Sequence, residues 1–134
     1  MERSLIMLKP DAFERNLVKV IEDMVLSRNL CIINKKTIFL NRWDVLKLWP
    51  EFCTLWSWLT SQQYYLGYEL QVWEVKGSDA INKIKELKIS LRTIYCDPGE
   101  KIRLLIHAPD SIKDFEREKD IFFKLPSKLK EADF

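Results

Sequence analysis

Apolar residues fall into short runs and helical stripes that alternate along the chain. Residues 4–8 form an apolar run stopped by Lys9-Pro10-Asp11, which predicts a buried strand feeding a turn. Leu17, Ile21, Met24 and Val25 share one face at helical spacing. A helix is therefore expected over 17–28, with Asn16 as its N-cap and Asn29 ending it in left-handed geometry. Residues 30–39 read as a strand, and Lys35 and Lys36 in its middle mark it as an exposed or edge strand. Asn41 is placed to cap a helix over 42–49 that stops before Pro50.

The stretch 51–65 is aromatic, has no clear period and leaves room for a short helix. Residues 68–75 alternate as a strand, with Tyr68, Leu70 and Val72 on one side. Ser78 or Asp79 caps the next helix, in which Ala80, Ile81, Ile84 and Leu87 form an amphipathic stripe. Asp97-Pro98-Gly99 is a turn. Residues 101–107 then alternate: Ile102, Leu104 and Ile106 face one way and Arg103, Leu105 and His107 the other. Asp110 or Ser111 opens the last long helix, with Ile112, Phe115 and Phe122 on its buried face. The segment 124–134 is charged, broken by Pro126 and expected to extend over the surface.

The element order is therefore β-α-β-α-β-α-β-α. A doubly wound parallel sheet wants a glycine-rich phosphate loop after the first strand, and three glycines in the whole chain do not supply one. A ferredoxin-like α/β (α+β) fold fits the element count: a βαββαβ split sheet, antiparallel and four-stranded, with an additional C-terminal helix. The 134 residues suit one domain and bury enough surface for a core of their own.

Composition narrows the function classes. Hydrophobic residues make up 47% and charged residues 31%, a globular balance, and the net charge of +2 leaves no strong nucleic-acid or membrane footprint. The three cysteines, Cys31, Cys53 and Cys96, are too few and too widely spaced for a disulfide framework or a zinc site. A single histidine excludes a His-rich metal site. The N-terminus carries charges too early for a signal peptide, and no apolar run reaches the ~18 residues of a membrane span. The chain reads as soluble and cytoplasmic.

Three side chains stand where chemistry is possible. Lys9 ends the first strand, where its ammonium can meet a phosphate. His107 ends the last strand, and a neutral imidazole is a competent nucleophile near neutral pH. Glu118 lies three helical turns on, placed to accept the other ring N–H and orient the base. Each of these taken alone is compatible with an ordinary structural or solvated side chain.

In combination they are more specific. Lys9-Pro10-Asp11-Ala12, then Glu14-Arg15-Asn16-Leu17-Val18, then a strand-terminal His107 with Asp110-Ser111, then Phe115-Glu116-Arg117-Glu118 with Ile121-Phe122-Phe123, resemble the nucleoside diphosphate kinases over about residues 3–123. The resemblance implies a kinase that moves the γ-phosphoryl group of a nucleoside triphosphate to a nucleoside diphosphate through a phosphohistidine, with Mg²⁺ carried by the nucleotide, in a homo-oligomer. His107 would be the phosphorylated residue and Glu118 its orienting acid. Lys9 and Arg92 would contact phosphates, as would Lys85, which falls where the family has an arginine. Trp49 falls where the family has a tyrosine near the histidine and lysine. Leu55, or Trp56 beside it, falls where a phenylalanine stacks on the base.

The departures weigh on activity. Leu104 stands where the family has an asparagine three residues before the histidine, and Ala108-Pro109 replaces Gly-Ser. The loop that carries a threonine phosphate ligand is missing between Lys85 and Arg92, so a hexamer does not follow. A catalytically impaired member that binds nucleotide or a protein partner is the alternative. An RNA-binding split sheet is disfavoured, because the glycine-aromatic motifs of such modules are absent; the aromatic cluster Trp56, Trp58, Tyr64 and Tyr65 reads as core or subunit interface.

Overall fold

The computed structural model describes residues 1–53 and 64–126, with the backbone alone at 52 and 53. Its frame is a four-stranded sheet made of β1 (Glu2–Leu8), β2 (Cys31–Ile38), β3 (Leu70–Gly77) and β4 (Ile106–His107), in the order β2-β3-β1-β4. All neighbouring strands are antiparallel. β1 lies opposite β3 from Glu2↔Gly77 to Leu8↔Gln71, and it meets β4 through Met7↔His107 and Leu8↔Ile106. This is the split-sheet order expected from the element count. β2 is at the edge, as its lysines predict: Lys35 sits 4.5 Å from the Trp73 ring centroid and Lys36 donates to the Phe123 carbonyl.

The apolar run of β1 is continuous because both faces of the sheet are covered. Ile6 and Leu8 join Trp73 and Val75 in a core under α2 (Val18–Leu26) and α4 (Ala80–Tyr95), with Ile21, Val25, Ile84, Leu87 and Leu91. Leu5 and Met7 join Leu70 and Val72 in a second core under α3 (Arg42–Leu48) and α5 (Ile112–Phe122), with Val45, Leu48, Phe115 and Phe122. Period-two alternation along β1 thus divides its side chains between two cores.

Helix starts differ in part from the sequence reading. Lys9-Pro10 opens a short helix, α1 (Pro10–Glu14), where a turn was expected; proline suits the first helical position. Asn16 does not cap α2: it takes φ 54 between the two helices, and Leu17 holds the cap position without a side-chain bond. Asn29 adopts φ 59 after α2, as expected. Asn41 caps α3 through a full capping box with Asp44. Neither Ser78 nor Asp79 caps α4 with its side chain; the Glu2 carboxylate on β1 accepts the Ile81 N–H at 2.7 Å instead. An anion supplied from another element is not visible in local sequence.

Three further expectations are corrected. Tyr68 precedes β3 and is exposed, so it does not share the buried side with Leu70 and Val72. Ile112 is 59% exposed at the first turn of α5. Residues 101–105 are irregular, and Leu105 at φ 70 breaks the alternation, so Leu105 and Ile106 are both buried. The start of the tail folds back: Leu125 is buried and the Pro126 carbonyl accepts the Phe39 N–H at 3.2 Å. The rest of the expected tail lies outside the described residues.

Candidate functional site

The site gathers where β4 meets the end of β1. The pairing sets His107 opposite Met7, two residues before Lys9. Leu105 ties this corner together: its carbonyl accepts the Lys9 N–H at 2.9 Å, and its N–H donates to Asp11 Oδ2 at 3.1 Å. Those two bonds hold a buried leucine in the left-handed region, a conformation that costs on the order of 1 kcal/mol or more. Asp11, itself buried, also accepts a hydrogen bond from the Tyr64 hydroxyl.

His107 keeps 20% of its side-chain surface open. Its Nε2 bonds the carboxylate of Glu118, which is buried. Glu118 reaches it because Ser111 caps α5 and sets the helix phase: Phe115, Glu118 and Phe122 stand at i, i+3 and i+7 and all turn to the sheet. On the other side, the Trp49 indole Nε1–H donates to His107 Nδ1 at 3.3 Å, with the rings edge-on at 5.2 Å. Nδ1 therefore holds a lone pair, and the ring proton is on Nε2. Trp49 in turn stacks on Tyr65 with centroids 4.9 Å apart.

The cations lie against the same corner. Lys9 is only 8% exposed; its Nζ donates to the Ile102 carbonyl at 3.2 Å and lies 5.9 Å from the Tyr65 ring centroid. Burial, reinforced by the charge of Arg92, lowers its pKa to about 8. Arg92, in the last turn of α4, donates to the Leu104 carbonyl at 3.3 Å and the Ile106 carbonyl at 2.8 Å, and burial lowers its pKa too. Further up α4, Lys88 pairs with Asp110 at 3.1 Å. Partial burial opposes ionisation of Asp110, but the Lys88 bond and the charges of Lys88, Lys85 and His107 outweigh it and hold the carboxyl below its ordinary range.

Of the residues singled out by sequence, His107, Glu118, Trp49, Lys9 and Arg92 come together. Lys85 stands one turn before Lys88 on α4 and acts on Asp110 through its charge. The Leu104 carbonyl accepts a hydrogen bond from Arg92. Leu55 and Trp56 lie outside the described residues. Asp11, Tyr64, Tyr65, Lys88 and Asp110 were not singled out as site residues. Lys88 left its helical spacing from Lys85 and Arg92 as a signal, and Asp11 and Asp110 lie within the quoted blocks Lys9-Pro10-Asp11-Ala12 and Asp110-Ser111.

A concavity of about 530 Å³ adjoins the corner, lined by Glu14, Tyr64, Tyr68, Glu100, Lys101, Ile102 and Arg103 together with Gly99. It meets the histidine cluster through Tyr64 and Ile102. Among the described residues, no group of three or more His, Cys, Asp or Glu side chains could hold a metal ion. The arrangement offers a nucleophilic nitrogen, an anion behind it and cations around it, which are the parts that phosphoryl transfer needs.

Comparison with known proteins agrees with this. The family model described as nucleoside diphosphate kinase matches residues 2–127. A nucleoside diphosphate kinase of Picrophilus torridus is 33% identical, covering 92% of this chain and 95% of its own length. One from Roseiflexus castenholzii is 31% identical over 92% of this chain and 89% of its own. Among solved structures, the apo nucleoside diphosphate kinase of Encephalitozoon cuniculi superposes with a TM-score of 0.83 at 18% identity, covering 98% of this chain and 95% of that one. The Borrelia burgdorferi enzyme, a transition-state mimic with bound vanadate and ADP, gives 0.79 at 16% identity, covering 98% and 94%.

Proposed function

This chain belongs to the nucleoside diphosphate kinase family, and we propose that it transfers the γ-phosphoryl group of a nucleoside triphosphate to a nucleoside diphosphate through a phosphohistidine at His107. Nucleotide phosphotransfer is the activity of its class. The observation that carries the finer reading is the buried Glu118 carboxylate on Nε2 of His107, which leaves Nδ1 as the nitrogen with a lone pair.

In the first half-reaction the Nδ1 lone pair forms the N–P bond as the bond from Pγ to the β,γ-bridging oxygen breaks. The electron pair leaves with that oxygen on the nucleoside diphosphate. Nε2 keeps its proton, and the positive charge of the phosphorylated ring faces the Glu118 carboxylate. The second half-reaction reverses these steps with another diphosphate, giving ping-pong kinetics. Trp49 releases Nδ1 as the bond forms, and its N–H turns to a phosphoryl oxygen. Lys9 and Arg92 exchange backbone carbonyls for phosphate oxygens, which as anions are the stronger acceptors. Lys85 adds a charge along the nucleotide. Mg²⁺ enters on the phosphates as part of the substrate.

Association of copies into a dimer or larger remains part of the proposal, to be read by light scattering, as does a cytoplasmic location. No helix among the described residues is long and apolar enough to cross a membrane.

The test is incubation with γ-labelled ATP. Acid-labile, alkali-stable label on the wild type and none on His107→Ala is the expected result. A wild type that takes up no label overturns the proposal; ADP binding without label would select the nucleotide-binding alternative.

A further inference from the structure

α4 runs unbroken from Ala80 to Tyr95. Lys85, Lys88 and Arg92 therefore stand at i, i+3 and i+7, stacked along one stripe of a single helix. Arg92 reaches the strand that carries His107 through the Ile106 carbonyl. Lys88 reaches Asp110, three residues after His107, across 3.1 Å. The two partners of this bridge are unequal: the Lys88 side chain is 15% exposed and that of Asp110 67%. The cation is packed against the fold and the anion stands in solvent.

Charge is out of balance here. Lys9 feels both Arg92 and Lys88, so the three cations share one region, with Lys85 beside them. Of the anions nearby, Asp11 is engaged by Leu105 and Tyr64, and Glu118 by His107. Asp110 faces Lys88 and Lys85 of α4, and an exposed carboxylate is a weak, solvent-screened partner. A polyanion with charge-assisted bonds to offer displaces it.

We infer that Lys88 is a further ligand for the phosphates of the nucleotide, held ready by Asp110 until they arrive. This rests on the phosphoryl-transfer reading and extends it to a residue that reading did not need. Lys88 is a binding residue in this account: its ammonium passes from a carboxylate oxygen to a phosphate oxygen, and no covalent bond changes.

The two partners should respond in opposite directions. Calorimetry of MgADP with the full chain is expected to show Lys88→Gln weakening affinity about tenfold or more, the range of a charged hydrogen bond. Lys88→Arg should restore most of it. Asp110→Asn should tighten binding a few-fold, because it frees Lys88 and removes a repelling charge. In turnover, Lys88→Gln should raise KM for the diphosphate more than it lowers kcat. An ADP affinity within twofold of wild type in Lys88→Gln overturns the inference. So does a parallel loss of affinity and melting temperature in Lys88→Gln and Asp110→Asn, which would make the bridge a structural clamp. Labelling from ATP is read separately. A wild type without label in which Lys88→Gln still loses ADP sinks the transfer reaction and leaves Lys88 a phosphate ligand.

Discussion

The indole N–H of Trp49 donates to Nδ1 of His107, the nitrogen opposite the one that bonds Glu118. The imidazole is thus held from both sides in one tautomer, with the proton on Nε2. His107 is the single histidine of the chain, so ¹⁵N-histidine labelling yields one pair of ring resonances. Nδ1 should appear unprotonated and Nε2 protonated. Trp49→Phe should keep that tautomer, since Glu118 still selects it, and shift the Nδ1 resonance toward that of a nitrogen without a donor. An unmoved Nδ1 signal would rule out the Trp49 bond in solution.

In the proposed mechanism Glu118 supplies negative charge where the phosphorylated ring becomes positive. Glu118→Gln keeps a hydrogen-bond acceptor of the same shape and removes that charge. Phosphoenzyme formation, followed by rapid quench, should slow about 100-fold, the scale of a lost electrostatic donor at a reacting centre. Thermal stability should change little, since a buried carboxylate is replaced by a neutral isostere. Equal rates for variant and wild type would leave Glu118 a purely structural partner.

Lys9, the proposed phosphate ligand, is buried at a cost to the fold. Burial lowers its pKa from 10.5 to about 8, which corresponds to about 3 kcal/mol disfavouring the ammonium in the folded state. That destabilisation is fully present below pH about 8 and is relieved between about 8 and 10.5, because the unfolded chain there binds more protons than the folded one. Lys9→Met should therefore raise stability at pH 7 by about 1–2 kcal/mol after the lost bond to Ile102 is allowed for, while abolishing ADP binding. In the wild type, ADP affinity should fall up to about tenfold per pH unit above pH 8, as Lys9 loses its proton. A flat profile from pH 7 to 10 would take Lys9 out of the binding site.

Asp11 holds Leu105 in its left-handed conformation. Asp11→Ala leaves the buried Leu105 N–H and the Tyr64 hydroxyl without their acceptor. A loss of about 2–3 kcal/mol in denaturant unfolding is expected. ADP affinity should fall as well, because residues 102–106 carry the carbonyls that position Lys9 and Arg92. Destabilisation without any loss of affinity would confine Asp11 to a folding role.

Much of the framework was legible in order and period. The apolar run at 4–8, the stripe of Ala80, Ile81, Ile84 and Leu87, and the Asn41 cap each describe what a segment does with its own residues, and each element formed where its pattern placed it. The 101–107 segment was misread because its alternation mimics a strand, while the bonds that break it come from Lys9 and Asp11, some 94 positions away. Ile112 was misplaced because spacing along α5 sets the helix phase but not how far the first turn projects past the sheet.

The site divides along the same line. Residue types and local spacing establish that a histidine ends a strand, that a glutamate follows at a helical distance and that a lysine ends another strand, since these depend on covalent order and backbone periodicity alone. Strand pairing decides that the end of β1 and His107 meet, and helix packing on the sheet decides that Trp49 closes over Nδ1 and that Lys88 rather than Lys85 bonds Asp110. Those relationships depend on sheet register and on the rotation of packed helices, which arise from burying two cores at once and have no signature in any single segment.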